Sequence, residues 1–189
     1  MKAVLISIQP KWCELIASGK KTVEVRKTKP KLETPFKVYI YCTNGDSLNY
    51  LRLSYFDNYQ KFWVDNKDFG ANVARANGKV IGEFVCDRFI ESFLNNNDGW
   101  FVEKGCLTQE EIDEYQGDKP ILYGWHISDL VIYDKPKELN EFRTPCKMTE
   151  GSCYFCDYAV HGMDGDLIDC NTSLTRPPQS WCYVEEVGQ

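Results

Sequence analysis

The sequence predicts an α+β fold in which a small sheet carries short flanking helices, and three observations lead there. Strand-like segments with alternating or near-continuous apolar residues recur at 22–26, 36–43, 79–87, 122–133 and 180–186. Helical signals are concentrated in short stretches with their own start or stop residues. The sequence shows no internal repeat, and no apolar run approaches the roughly 18 residues needed to cross a bilayer. At 189 residues the chain suits a single domain, 1–189, with an aromatic-rich insertion at 44–77 and a cysteine-rich insertion at about 144–175.

Pro10 fits the first position of a helix, Trp12, Leu15 and Ile16 recur at i, i+3 and i+4, and Gly19 stops it. From Thr22 to Arg26 the period changes to two, which places Val23 and Val25 on one face and Thr22, Glu24 and Arg26 on the other. Phe36 to Thr43 alternates as well, with Val38, Ile40 and Cys42 opposed to Tyr39 and Tyr41. The two tyrosines have two readings, cleft lining or ordinary core and cross-strand packing. The 44–77 stretch opens on the turn signal Asn44-Gly45, and within it Tyr55, Tyr59 and Phe62 are spaced as the core-facing stripe of a helix. Asn77-Gly78 then turns the chain into a central strand starting at Lys79. After the polar loop 95–99, Thr108 and Glu111 have the spacing of a capping box, with Leu107 and Ile112 placed as its hydrophobic staple, for a helix ending near Gly117. Leu122 to Tyr133 predicts one long or bulged strand, and Ser180 to Glu186 the last.

The segment between the first helix and its strand, Gly19-Lys20-Lys21-Thr22-Val23-Glu24-Val25-Arg26, has the pattern G-x-K-x-x-E-x-R. It projects two opposite charges from one strand face beside a lysine. With the entry Ile6-Ser7-Ile8-Gln9-Pro10 and the later segments Lys79–Phe84 and Tyr123–Ile127, this motif resembles the signature of the ASCH domain, a branch of the PUA-like superfamily, over roughly residues 1–143. The resemblance implies a small, partly open β-barrel with helices at its ends. It also implies a cleft lined by the motif that receives RNA or a nucleoside, with Lys21, Glu24 and Arg26 as ligand contacts and Trp12 and Tyr41 as its aromatics. Similar chains are carried in bacterial prophages.

Two other function classes compete with binding. Some family members resemble amidohydrolases of acetylated cytidine that use a lysine, a threonine two residues before the arginine, and a distant glutamate. Lys21 and Arg26 match, but Glu24 stands where the threonine nucleophile is needed, so that mechanism does not carry over. A different hydrolase, such as a nuclease, would use Lys21 and Glu24, with Glu24 activating water. For the three charged residues, ligand contact, structural ion pairing and catalysis all remain open. His126 lies within a strand and His161 in a loop, and neither accompanies a nucleophile motif; the glycines form no phosphate-cradling loop. The third class is a protein-interaction module that uses the acidic majority of the surface.

Composition bounds these choices. Hydrophobic residues at 43% and aromatics at 14% describe a globular chain and exclude disorder. Val4-Leu5-Ile6 is too short a run, and lacks the flanks, for a secretory signal, which predicts a cytoplasmic protein without membrane partners. The net charge is −6, yet residues 1–37 hold nine Lys or Arg against three Asp or Glu, so the basic excess is local. That asymmetry suits a short single-stranded ligand rather than a duplex. Lys27, Lys29 and Lys31 extend the patch or form a solvated loop. Five of the nine cysteines, Cys146, Cys153, Cys156, Cys170 and Cys182, fall in the last 44 residues. Cys153-x-x-Cys156 has zinc-knuckle spacing, and Cys146 with Cys170 is the pair that best completes a tetrahedral site; reduced thiols without metal are the alternative.

Overall fold

A computed structural model describes residues 1–44, 52–54, 73–93, 99–146, 159–165, 167–170 and 172–187, with 52–54, 73–75 and 167–170 as backbone. Its strands are β1 (Lys2–Ile8), β2 (Val23–Arg26), β3 (Phe36–Cys42), β4 (Arg52–Ser54), β5 (Val73–Arg75), β6 (Lys79–Phe93), β7 (Ile121–Lys137), β8 (Ala159–His161), β9 (Leu167–Cys170) and β10 (Trp181–Glu185). The helices are α1 (Pro10–Ala17), α2 (Gly99–Gly105) and α3 (Gln109–Gln116). Six strands form one mixed sheet in the order β10-β1-β3-β6-β7-β2, and two hairpins, β4-β5 and β8-β9, stand apart from it. No helix among the described residues is long and apolar enough to cross a membrane.

β1 lies inside the sheet, parallel to β3 and antiparallel to β10. Its run from Ala3 to Ile6 is fully buried, which explains why it carries no alternation in sequence. The connection from β1 to β3 carries α1 and β2, and so brings the charged motif to the far edge of the sheet. The expected alternation of β3 is present: Val38, Ile40 and Cys42 enter the main core with Ile6, Phe84 and Trp125, whereas Tyr39 and Tyr41 join Leu5, Val80 and Phe142 on the other face. β6 and β7 are longer than the sequence predicts, and their ladder has register shifts at Val80/Gly82, Glu83/Val85 and Cys86/Phe89. Such irregularities increase twist and let two long strands wrap the core.

The local signals at α3 are present as read. Thr108 Oγ1 accepts from the Glu111 backbone at 3.1 Å, and Glu111 Oε2 accepts from the Thr108 backbone at 2.9 Å. Leu107 and Ile112 meet in a third apolar cluster with Val23, Val25 and Phe101. α2 carries no comparable sequence signal.

The small, partly open barrel that the resemblance implies is replaced by a mixed sheet that does not close into a barrel. Among the described residues β2 pairs only with β7, and β10 only with β1, so the two edges share no backbone ladder there. Side chains bridge the seam instead: Trp181 Nε1 donates to Thr28 Oγ1 at 3.0 Å, and the Trp181 and Trp125 rings lie 6.0 Å apart. The helical stripe expected at Tyr55, Tyr59 and Phe62 lies outside the described residues. Thr144 donates to the Thr172 carbonyl at 2.9 Å and Arg143 bridges Ser173, while 147–158 of the stretch expected as a cysteine-rich insertion lie outside the described residues.

Gly124 on β7 permits the approach of a helix to the sheet. A Cβ there would stand 2.7 Å from Phe101 of α2 and 2.8 Å from Val23 of β2. Gly124→Ala is therefore expected to destabilise the fold by about 1–3 kcal/mol through overpacking, read as a lower urea midpoint with an unchanged m-value.

Candidate functional site

The spacing of the charged motif has a local cause. At Gly19, φ is +73°, and its N–H donates to the Ile16 carbonyl at 2.9 Å as α1 ends. The chain folds back beneath the helix, and the Lys21 backbone donates to the Leu15 carbonyl at 2.9 Å. Lys21 therefore precedes β2 rather than belonging to it, which is how it reaches Glu24 on the face shared by Glu24 and Arg26. The pairing of β2 with β7 holds that face in register, with Glu24 opposite Trp125 and Arg26 opposite Tyr123.

All three charged side chains are buried, with Lys21 2%, Glu24 5% and Arg26 9% exposed. Glu24 stands between the two cations: one carboxylate oxygen is 3.5 Å from Lys21 Nζ and the other 2.9 Å from Arg26 Nη2. Each cation also donates to a distant backbone carbonyl. Lys21 Nζ reaches Gly105 at the end of α2 at 2.6 Å, and Arg26 Nη2 reaches Ser7 of β1 at 2.5 Å. Arg26 Nη1 lies 3.4 Å from Ser180 Oγ, while its Nε has no hydrogen-bond partner among the described residues. Burial lowers the pKa of Lys21, against the opposing pull of the Glu24 carboxylate.

These groups line a cavity of about 660 Å³ at the end of the open seam. Trp12 of α1 and Tyr115 of α3 are on its wall, with the Lys21 ammonium 5.1 Å from the Trp12 ring centre. Ser7, at the end of β1, fixes the opposite wall: its Oγ donates to the Pro178 carbonyl at 2.6 Å and its backbone N–H to Ser180 at 2.9 Å. At the rim, Lys11 pairs with Glu111 at 2.9 Å, joining α1 to α3. Volume and mixed lining are those of a small-molecule or single-residue binding site.

Of the residues predicted for the cleft, the structure brings together Lys21, Glu24, Arg26 and Trp12. Tyr41 is placed elsewhere: it is buried in the second apolar cluster and is absent from the cavity lining, so its position corresponds to the core-packing reading. Sequence reasoning missed Tyr115, the Gly105 carbonyl and the 177–180 segment. Pro177-Pro178 is readable as a rigid extended stretch, but nothing local reveals what it packs against. Lys29 pairs with Glu91 at 2.7 Å, and Lys27 lies 4.9 Å from the Tyr115 ring centre, so the basic loop borders the cavity through Lys27. His126 Nδ1 is 2.6 Å from Asp87, away from the cavity.

The metal candidates Cys153 and Cys156 lie outside the described residues, as does the side chain of Cys170 in β9; Cys146 is exposed. Among the described residues no group of three His, Cys, Asp or Glu is placed to hold a metal ion.

The family model for the ASCH domain matches residues 6–144. Among solved structures, the chain is similar to the crystal structure of ASCH from Zymomonas mobilis, with a TM-score of 0.56 at 16% identity, covering 97% of this chain and 88% of the other. It is likewise similar to the S128A mutant of the Zymomonas mobilis protein, with a TM-score of 0.57 at 15% identity, covering 97% and 89%. At these identities the likeness concerns the fold alone. No curated protein matches the sequence significantly.

Two predictions rest on this geometry. Glu24→Gln leaves two buried cations without their carboxylate and is expected to cost about 3–5 kcal/mol, measured by urea unfolding. The pH dependence follows from Lys21, whose folded pKa lies below its ordinary value of 10.5. Its contribution to stability is complete above the unfolded pKa and lost as pH falls through the folded one. The stability of the wild-type protein relative to Lys21→Met should therefore rise with pH through the alkaline window below 10.5, in paired denaturation series.

Proposed function

We propose that this chain, which belongs to the ASCH domain family, binds RNA or another nucleobase-containing ligand in the cavity lined by Lys21, Glu24 and Arg26, in a regulatory or accessory role. The observation that carries this reading is the cavity itself, where buried cations and two aromatic rings, Trp12 and Tyr115, converge. Cations meet phosphate or carbonyl oxygens, and flat rings supply surface for a base. The family's association with RNA binding supports the same ligand class.

A hydrolase is less well supported by the geometry. Both Glu24 oxygens already contact cations, one facing Lys21 and the other Arg26. A carboxylate engaged on both sides has little freedom to take a proton from water. It serves as a brace that sets the orientation of Lys21 and Arg26.

Fluorescence anisotropy with short single-stranded RNA tests the reading. Weak binding at low salt is expected, falling with a log-log slope of about −2 to −3, since each phosphate neutralised on a single strand contributes about −0.7. Lys21→Ala and Arg26→Ala should each weaken it in protein shown to be folded. Unchanged affinity in both variants places the site elsewhere, and absence of binding to RNA, DNA and nucleosides alike rejects the function.

A further inference from the structure

The charge balance of the cavity, taken with the binding function proposed above, narrows the ligand further. Two buried cations, Lys21 and Arg26, face one buried carboxylate, Glu24, so the inner end carries a net charge of +1. Glu111 also lines the cavity and feels the Lys21 charge, but its carboxylate is at the exposed rim and its direct partner there is Lys11, at 2.9 Å. Within the triad, Glu24 is divided between both cations and has no free oxygen to give either one more.

Arg26 is the under-satisfied member. Its side chain is 11% exposed, it lines the cavity, and its buried Nε–H has no partner among the described residues. Its Nη1 contact with Ser180 Oγ is long, at 3.4 Å. A buried donor left unpaired costs about 1–3 kcal/mol, and more when charged. A neutral nucleoside can present a carbonyl oxygen to the guanidinium, but it leaves the excess charge in place. An oxyanion offsets the excess charge and meets the guanidinium where Arg26 lines the cavity, through a charge-assisted hydrogen bond.

We infer that the inner end of the cavity is an oxyanion site for the phosphate of a nucleotide, with Arg26 as its principal donor and Lys21 beside it. The base then lies outward, against the aromatic surface of Trp12 and Tyr115. The orientation is phosphate inward, and the recognised unit is a phosphorylated nucleoside rather than a free one.

Isothermal titration at low salt separates the alternatives, using uridine, adenosine, their 5′-monophosphates and inorganic phosphate. Each monophosphate is expected to bind at least about tenfold tighter than its nucleoside, and Arg26→Gln is expected to bring the ratio of the two affinities down to about one. Because Arg26 also braces the fold, ³¹P NMR on the unmodified protein supplies an independent readout. The second ionisation of the bound phosphate should fall below its free value of about 6, since adjacent cations favour the dianion.

Equal affinity for nucleoside and nucleotide, with RNA still bound, overturns the oxyanion site and leaves the binding function standing. A ³¹P titration unmoved on binding does the same, because the phosphate then lies in solvent. Inorganic phosphate binding as tightly as the nucleotides indicates an adventitious ion only and overturns the nucleotide assignment. No binding of any of these probes or of RNA removes both the inference and the function on which it rests.

Discussion

The Glu24 carboxylate, held between Lys21 and Arg26 out of reach of most solvent, is the interaction on which the rest of the site depends. Each cation it holds extends to a backbone carbonyl of another element, Gly105 at the end of α2 and Ser7 at the end of β1. One side chain thereby fixes the relative positions of the turn after α1, strand β2, helix α2 and the sheet interior. Such a cluster is a poor source of net stability, because desolvating three charges offsets most of their mutual attraction. Its value lies in geometry, since it sets two cations at defined places on a cavity wall.

The open seam of the sheet is the second constraint. A continuous ladder between β2 and β10 would fill with backbone the space from which the cavity opens. The two edge strands are instead short, Val23–Arg26 and Trp181–Glu185, and are joined by Arg26, Trp181 and Trp125 side chains. Residues beyond the family match at 6–144 contribute both β10 and the wall at 177–180. The motif lies within the family match, while the cavity wall opposite it comes from residues C-terminal to that match.

The acidic net charge and the basic N-terminal segment are reconciled by where the lysines go. Lys11, Lys29 and Lys37 each face a carboxylate, on Glu111, Glu91 and Glu83 respectively. The exposed pairs of Lys11 and Lys29 contribute little energy, and with the half-buried pair of Lys37 they quiet the field they share. Lys21 and Arg26 differ because burial protects them from screening and only one carboxylate is divided between them.

Much of the local structure was legible in the sequence because its causes are local. The end of α1 at Gly19, the strand faces of β2 and β3, and the reciprocal cap of α3 all depend on residues within four positions of one another. So the sequence by itself determined that Glu24 and Arg26 share a face and that Lys21 stands beside them. The tertiary structure decided the rest: that both cations are buried, that Tyr41 packs into the second cluster and Tyr115 lines the cavity, and that the sheet stays open. The physical reason lies in the acceptors. The carbonyls of Gly105 and Ser7, and the segment at 177–180, meet the motif only because distant strands are paired, and a backbone carbonyl leaves no mark in an amino-acid sequence.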